Sequence, residues 1–149
     1  MMDDLRELYQ EILLDHSRST RHRGNVAGAN HKAEGHNPLC GDFIAISARI
    51  AEDIVEQCAF DGRACAICIA SASMMADAIQ GHSCDHARKL FARVRNMLMG
   101  EAANEVAEDC ALAALAGVRR FPMRVKCATL PWHTMIAALD GSALPISTD

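Results

Sequence analysis

The feature that most limits the fold of this chain is a run of apolar and small residues from Ala66 to Ile79. A helix formed by this run would present almost no polar side to water, which is typical of a helix buried inside a protein. Gly81, just after the run, is a suitable residue to end it. The sequence therefore predicts a buried helix near the middle of the chain.

Two strands are predicted directly before this helix. From Phe43 to Ile50 every second position is apolar, which is the period of a strand; these positions are Ile44, Ile46, Ala48 and Ile50. The tripeptide Ala51-Glu52-Asp53 predicts a hairpin connection to a second strand over residues 54–60, which Asp61-Gly62 would end. An antiparallel pair of strands is the expected result.

Helices are predicted on both sides of these strands. Leu5, Leu8 and Ile12 follow the three-and-four spacing of an amphipathic helix at the start of the chain. Three more helices are predicted. The first begins after the Ser83 cap and ends at Gly100, and the second covers residues 103–116 and ends at Gly117. The last begins at Pro122 or Pro131.

The segments between these elements lack a clear pattern. Residues 17–37 have no apolar periodicity and predict a long surface loop, and residues 141–149 carry no usable signal. We therefore expect one α+β domain over residues 1–149, in which an N-terminal helix and several C-terminal helices pack on a small antiparallel sheet.

Charge and composition argue against two classes of protein, nucleic-acid binders and membrane proteins. The net charge of -4 argues against a general nucleic-acid binder, and no apolar stretch approaches the roughly 20 residues that cross a bilayer. The seven cysteines are preceded by no recognisable signal peptide, because the first sixteen residues are rich in Asp, Glu and Arg. A cytoplasmic protein without membrane or nucleic-acid partners is expected.

Three of the cysteines stand in settings that suit a metal ligand. Cys40 is followed by Gly41 and Asp42, so a tight turn would offer one soft and one hard ligand together. Cys65 and Cys127 each lie near a predicted helix start, where the helix dipole lowers a thiol's pKa. Three thiols and a carboxylate suit tetrahedral zinc. The alternative is that these cysteines are small buried hydrophobic residues, since their spacing matches no common zinc finger.

The residues around these cysteines carry a resemblance to a known family. The segments are Asn37-Pro38-Leu39-Cys40-Gly41-Asp42, residues 64–75 around Cys65, and residues 117–130 around Cys127. They closely resemble the iron-sulfur assembly proteins of the IscU/NifU-N superfamily, and the similarity extends from about Leu5 to Leu139. Within that superfamily the chain resembles the SufU type, because Lys126 stands where the IscU pattern has histidine and about twenty residues are inserted between the second and third cysteines.

The resemblance implies a zinc ion held by Cys40, Asp42, Cys65 and Cys127. It also implies an enzyme, a zinc-dependent sulfurtransferase in which Cys40 accepts persulfide sulfur from a cysteine desulfurase of the SufS type, with Arg124 beside the site. The sulfur would pass to a downstream iron-sulfur assembly scaffold, and the protein would be a monomer that docks transiently. Two alternatives stay open: a scaffold that binds a transient iron-sulfur cluster, and a zinc ion that only stabilises the fold.

Other reactive residues have simpler interpretations. Cys68 creates the sequence Cys65-x-x-Cys68, a spacing associated with redox dithiols or alternative metal ligation, although a small buried helix residue is the expected role. We expect the other cysteines to be structural, methionines 74 and 75 to fill the core, and the histidines to face solvent. The cysteines are Cys58, Cys84 and Cys110, and the histidines are His16, His22, His31, His36 and His133.

Overall fold

The computed structural model describes residues 2–99, 110–141 and 145–147. The strands are β1 (His31–Asn37), β2 (Asp42–Ala51), β3 (Ile54–Arg63) and β4 (Ile146–Ser147). The helices are α1 (Met2–Arg18), α2 (Ala66–Ile79), α3 (Cys84–Leu98), α4 (Cys110–Ala113), a 3-10 helix (Ala114–Arg120) and α5 (Pro122–Asp140). The α+β architecture predicted from the sequence is confirmed.

The four strands form one sheet in the order β3-β2-β1-β4. The first three strands are antiparallel neighbours, whereas β4 pairs in parallel with β1. The predicted β2–β3 hairpin is present, and its two-residue loop, Glu52 and Asp53, has positive φ at both positions. Two positive φ values match a turn whose twist suits an antiparallel pair.

The sequence prediction was wrong at two places in the sheet, and at a third the sequence carried no signal. The second half of the expected surface loop forms β1, which pairs with β2 from His31↔Ala48 to Asn37↔Asp42. The patternless tail supplies β4. Gly62 does not end β3; it pairs with Ile44, and a Cβ at this position would overlap the carbonyl oxygen of Phe43. Glycine is therefore what allows the strand to continue there.

Helices cover the sheet and complete the core. The predicted buried helix is confirmed as α2, which packs against α1, α5 and β3. The predicted Ser83 cap is also confirmed, because its Oγ accepts the His86 backbone N–H at 3.0 Å at the start of α3. Methionines 74 and 75 are buried in the core, as expected.

The C-terminal helices depart from the prediction in their boundaries. Residues 103–109 of the predicted helix lie outside the described residues; the described part begins at Cys110 and continues as a 3-10 helix through Gly117 to Arg120. Pro122 begins α5, and Pro131 lies inside that helix. The long helix α5 packs on β1 and β2, and this packing brings its first turns to the β1–β2 turn.

Candidate metal centre

The turn between β1 and β2 presents the first two candidate ligands. The backbone N–H of Cys40 donates to the Asn37 carbonyl at 3.2 Å, and Gly41 has a φ of 72° that completes the reversal. Cys40 is half-buried in this turn, and Asp42, the first residue of β2, is buried. The turn therefore directs one partly accessible thiol and one buried carboxylate to the same end of the sheet.

Cys65 lies at the start of α2 and contacts Asp42. It is the N-cap residue, with an extended backbone, and its N–H donates to Asp42 Oδ1 at 2.8 Å. Its Sγ lies 3.8 Å from Asp42 Oδ2. A carboxylate at this position is stabilised by the helix dipole. Asp42 thus joins β2 to the N-terminus of α2.

Cys127 comes from inside a helix. It lies in the second turn of α5, is fully buried, and its Sγ is 3.7 Å from the Met123 carbonyl. The expectation that helix-start placement lowers the pKa of this thiol is wrong. Its pKa is raised, first by burial and then by hydrogen bonding to Asp42 and Cys40. The raised pKa favours the protonated form of this thiol when no cation is bound.

Three of the four predicted ligands lie together. One ligand atom each from Cys40, Asp42 and Cys127 lies within 4.8 Å of the other two. A tetrahedral zinc ion with Zn–S bonds of about 2.3 Å needs donor separations of roughly 3.5–4 Å, so a small inward movement suffices. Cys65 lies outside this group of three, although its sulfur is near Asp42. Rotation about its χ1 moves the sulfur without moving the helix. The donors fit a thiophilic divalent cation.

Arg124 lies on the exposed side of this cluster. Its pKa is raised, first by hydrogen bonding to Cys127 and then by the charges that Cys65 and Cys127 carry when they are ionised. The side chain is exposed one turn before Cys127 in α5. A positive charge therefore stands beside the candidate ligands and is also open to a partner.

Sequence reasoning assigned no role to Asn37, which contacts a candidate ligand. Its Nδ2 donates to Cys127 Sγ at 3.6 Å, and the residue is completely buried at the end of β1. Among the described residues, no group donates to its Oδ1. The available signal was its place in the segment Asn37-Pro38-Leu39-Cys40, although the side chain's direction depends on β1, which was not predicted.

Two of the remaining cysteines, Cys58 and Cys68, are buried, as expected of structural residues. Cys68 is buried in the first turn of α2, and Cys58 is buried in β3. Burial raises the pKa of Cys58 to about 12. Cys84 is half-buried at the start of α3, and Cys110 lies in α4.

The histidines take part in contacts away from the candidate ligands. His22 pairs with Asp77 at 2.6 Å, His16 with Ser73 Oγ at 2.8 Å, and His133 packs edge-on against Phe91. The prediction that these side chains simply face solvent was wrong for these three. His31 and His36 lie in β1 rather than in a loop. In the part of the chain that the structure describes, the metal-ligand cluster contains no histidine.

The model contains no helix, among the residues it describes, with the length and apolar character needed to span a bilayer.

The chain is similar to a known protein family and to named members of it. The family model for the NifU-like N-terminal domain matches residues 8–128. The chain is 37% identical over 142 residues to "Iron-sulfur cluster assembly scaffold protein IscU" of Streptococcus pyogenes serotype M1, covering 95% of this chain and 89% of that protein. It is 36% identical over 132 residues to "Zinc-dependent sulfurtransferase SufU" of Bacillus subtilis strain 168, covering 89% of each chain.

A solved structure agrees with these relatives. The putative iron-sulfur cluster assembly scaffold protein for the SUF system from Fervidobacterium islandicum AW-1 superimposes with a TM-score of 0.82 at 31% sequence identity. The match covers 89% of this chain and 97% of that one.

Proposed function

Because the chain belongs to the NifU-like N-terminal domain family, we propose that it is a zinc-dependent sulfurtransferase acting in iron-sulfur cluster assembly. One observation carries this proposal: Cys40 is a partly accessible thiol on a turn, whereas its neighbours Asp42 and Cys127 are buried. A reactive sulfur that a partner can reach thus lies next to buried groups suited to hold a cation.

The proposed ligands are Cys40, Asp42, Cys65 and Cys127. Bound zinc would keep the Cys40 sulfur deprotonated at neutral pH. It would do the same for Cys127, whose pKa is raised by burial and hydrogen bonding. Asp42 contributes a carboxylate whose second oxygen is held by the Cys65 backbone. The protein's part is to supply these donors in a buried cluster with one accessible sulfur.

The reaction proposed for Cys40 is sulfur transfer from a partner persulfide. The Cys40 thiolate attacks the terminal sulfur of a persulfide on a cysteine desulfurase, and a new S–S bond forms at Cys40. The partner's S–S bond breaks, and its cysteine leaves as a thiolate. The exposed guanidinium of Arg124 would stabilise negative charge on the incoming or bound persulfide. A desulfurase of the SufS type is the proposed partner, and this chain would dock on it as a monomer.

The alternative function is a scaffold on which an iron-sulfur cluster is assembled as cargo. The streptococcal relative named as a scaffold is as similar to this chain as the sulfurtransferase, and thiolates hold clusters as well as zinc. Lys126 immediately before Cys127, in place of a histidine, supports the zinc protein.

The test compares desulfurase turnover with zinc-loaded wild type, Cys40→Ala and the matched control Cys84→Ala. Cys84 is also half-buried but lies at the start of α3. We expect strong stimulation by wild type and by Cys84→Ala, and none by Cys40→Ala at equal folding. Absence of stimulation by zinc-loaded wild type, together with assembly and release of a cluster from iron and sulfide under anaerobic conditions, would establish the scaffold instead.

A purely structural zinc ion is tested by a separate variant. Because this variant is expected to bind zinc more weakly, it is loaded with excess zinc. If Asp42→Ala then stays folded with zinc bound but no longer activates the desulfurase, stabilisation of the fold is not the whole role of the metal.

A further inference from the structure

We propose that Cys65 and Cys68 form a redox-active dithiol that closes into a disulfide when a hydroperoxide oxidises Cys65, withdrawing that sulfur from the metal centre. The inference rests on the ligand set of the proposed function, since Cys65 is one of its four members. It does not depend on sulfur transfer through Cys40.

The two cysteines lie together at the start of α2. Cys65 is the N-cap and Cys68 lies three residues later, so both are in the first turn of the helix. Residues three apart on a regular helix have Cβ atoms about 5–6 Å apart, whereas a disulfide needs roughly 3.5–4.5 Å. Cys65 has an extended backbone, with φ -67° and ψ 164°, rather than helical angles. The Cβ spacing of a regular helix therefore does not apply to Cys65.

Cys68 is packed in the same region as the candidate ligands. Cys68 and Cys127 are both buried members of the hydrophobic core, and Cys40 and Cys65 pack against that core. Cys68 is therefore a buried thiol on the inner side of this region.

The two cysteines of the pair differ in solvent accessibility. Cys65 is half-buried at the protein surface, whereas Cys68 is completely buried. A hydroperoxide therefore meets Cys65 first, and Cys68 is placed to react with the oxidised product.

The chemistry balances with the peroxide as the only oxidant. The Cys65 thiolate attacks a peroxide oxygen; an S–O bond forms, the O–O bond breaks, and hydroxide or an alkoxide leaves with the electron pair. The Cys68 sulfur then attacks the Cys65 sulfenic acid sulfur. An S–S bond forms, the S–O bond breaks, and the Cys68 proton leaves with the hydroxyl group as water. A dithiol reductant reverses the result.

The consequence for the metal centre follows from the cluster geometry. Formation of the disulfide leaves Cys40, Asp42 and Cys127 as the remaining candidate ligands. A four-coordinate zinc ion would lose one thiolate, so its affinity falls. Oxidation at the pair would therefore release zinc reversibly, without modification of Cys40.

The experiment exposes the full-length, zinc-loaded protein to hydrogen peroxide. Zinc release is followed with a chromogenic chelator, and disulfides are mapped by mass spectrometry of unreduced peptides. The variants are Cys68→Ser and Cys68→Ala, the second because a buried hydroxyl without a partner is destabilising. The matched control is Cys58→Ser, which alters a buried cysteine in β3.

In wild type and Cys58→Ser we expect a Cys65–Cys68 disulfide, zinc release, and recovery of zinc binding after treatment with dithiothreitol. In both Cys68 variants, Cys65 would progress to sulfinic acid and zinc binding would not recover. A wild-type disulfide between Cys40 and either Cys65 or Cys127, or full recovery in the Cys68 variants, would overturn the proposal. Sulfur acceptance by untreated wild type tests the proposed function separately, because loss of that activity leaves the disulfide map unchanged.

Discussion

The carboxylate of Asp42 accepts a 2.8 Å hydrogen bond from the backbone N–H of Cys65. A side chain at the start of β2 thereby occupies the N-terminus of α2, so one residue both supports the fold and belongs to the proposed ligand set. These two roles can be separated by substitution.

Asp42→Ala should destabilise the metal-free protein, whereas Asp42→Asn should retain much of its stability. Alanine removes the acceptor at the helix N-terminus, a loss worth about 1 kcal/mol, but asparagine keeps an oxygen there. Both variants should bind zinc more weakly because the carboxylate charge is gone. Urea unfolding in the presence of a chelator measures the first effect, and competition with a zinc indicator measures the second. Equal stability of Asp42→Ala and wild type would show that the hydrogen bond contributes nothing.

Asn37→Ala should weaken zinc binding although Asn37 is not a proposed ligand. Its Nδ2 donates to Cys127 Sγ, and loss of such outer contacts commonly lowers metal affinity about 10-fold to 100-fold. Competition titrations against a chelator of known affinity provide the measurement. Asn30→Ala is a suitable control, because Asn30 bonds the Ile50 backbone rather than a ligand. An unchanged zinc affinity in Asn37→Ala would contradict a role for this contact.

Arg124→Gln should reduce sulfur acceptance without changing stability by more than about 0.5 kcal/mol, because the side chain is exposed. Arg124→Lys should restore only part of the activity, since lysine keeps the charge but not the planar donors. The readout is persulfide on Cys40 after a single turnover with the desulfurase. The control Arg93→Gln changes an exposed arginine in α3. Similar persulfide yields in the two glutamine variants would remove Arg124 from the proposed mechanism.

Gly35→Ala should be among the more damaging small substitutions. A Cβ at this position in β1 would overlap Thr134 Oγ1 and press on Leu130 Cδ1, both in α5. Moving α5 away from β1 to relieve such overlap costs roughly 1–3 kcal/mol. The same movement would shift Cys127. Gly117→Ala is the matched control, because no atom lies within 4 Å of its added Cβ. Chemical denaturation should show a large loss for the first variant and little change for the second; equal effects would contradict close packing at Gly35.

The metal-free protein should lose stability as the pH rises above about 9. Burial raises the pKa of Cys58 from 9.0 to about 12, so the unfolded chain releases this proton at lower pH than the folded chain. The stabilisation from this thiol is complete below the pKa that Cys58 has in the unfolded chain. It is lost as the pH rises toward the higher pKa of Cys58 in the folded chain. One such thiol lowers the free energy of unfolding by about 1.4 kcal/mol as the pH rises from about 8 to about 10. Urea midpoints at the two pH values, compared with those of Cys58→Ala, test this; an identical pH dependence in the variant would refute it.

The elements with strong local signals were predicted well from sequence. The 14-residue run that became α2 is apolar or small on nearly every side, as suits a buried helix, and the alternating residues of β2 have the two-residue period of a strand. The β1 strand was missed because its inward positions are Ala33, Gly35 and Asn37, which give no apolar alternation. Its pairing with β2, rather than its own side chains, determines that conformation.

In the candidate site, too, the features with a local sequence signal were predicted and those that depend on long-range packing were not. The motifs identified Cys40, Asp42, Cys65 and Cys127 as a set, and three of their ligand atoms are close together. The helical position of Cys127 and the contact with Asn37 depend on how α5 packs on β1, a long-range relationship with no local signal.

The packing of α5 on β1 also has a consequence for the order of folding. The candidate ligands come from a turn, a helix N-terminus and the second turn of a helix far along the chain. Contacts between distant segments form late, because a long loop must first close. The metal centre therefore cannot nucleate this fold. Zinc bound to the finished cluster would instead retard unfolding by tying α5 to the sheet, so metal loading should lengthen the lifetime of the native state more than it accelerates its formation.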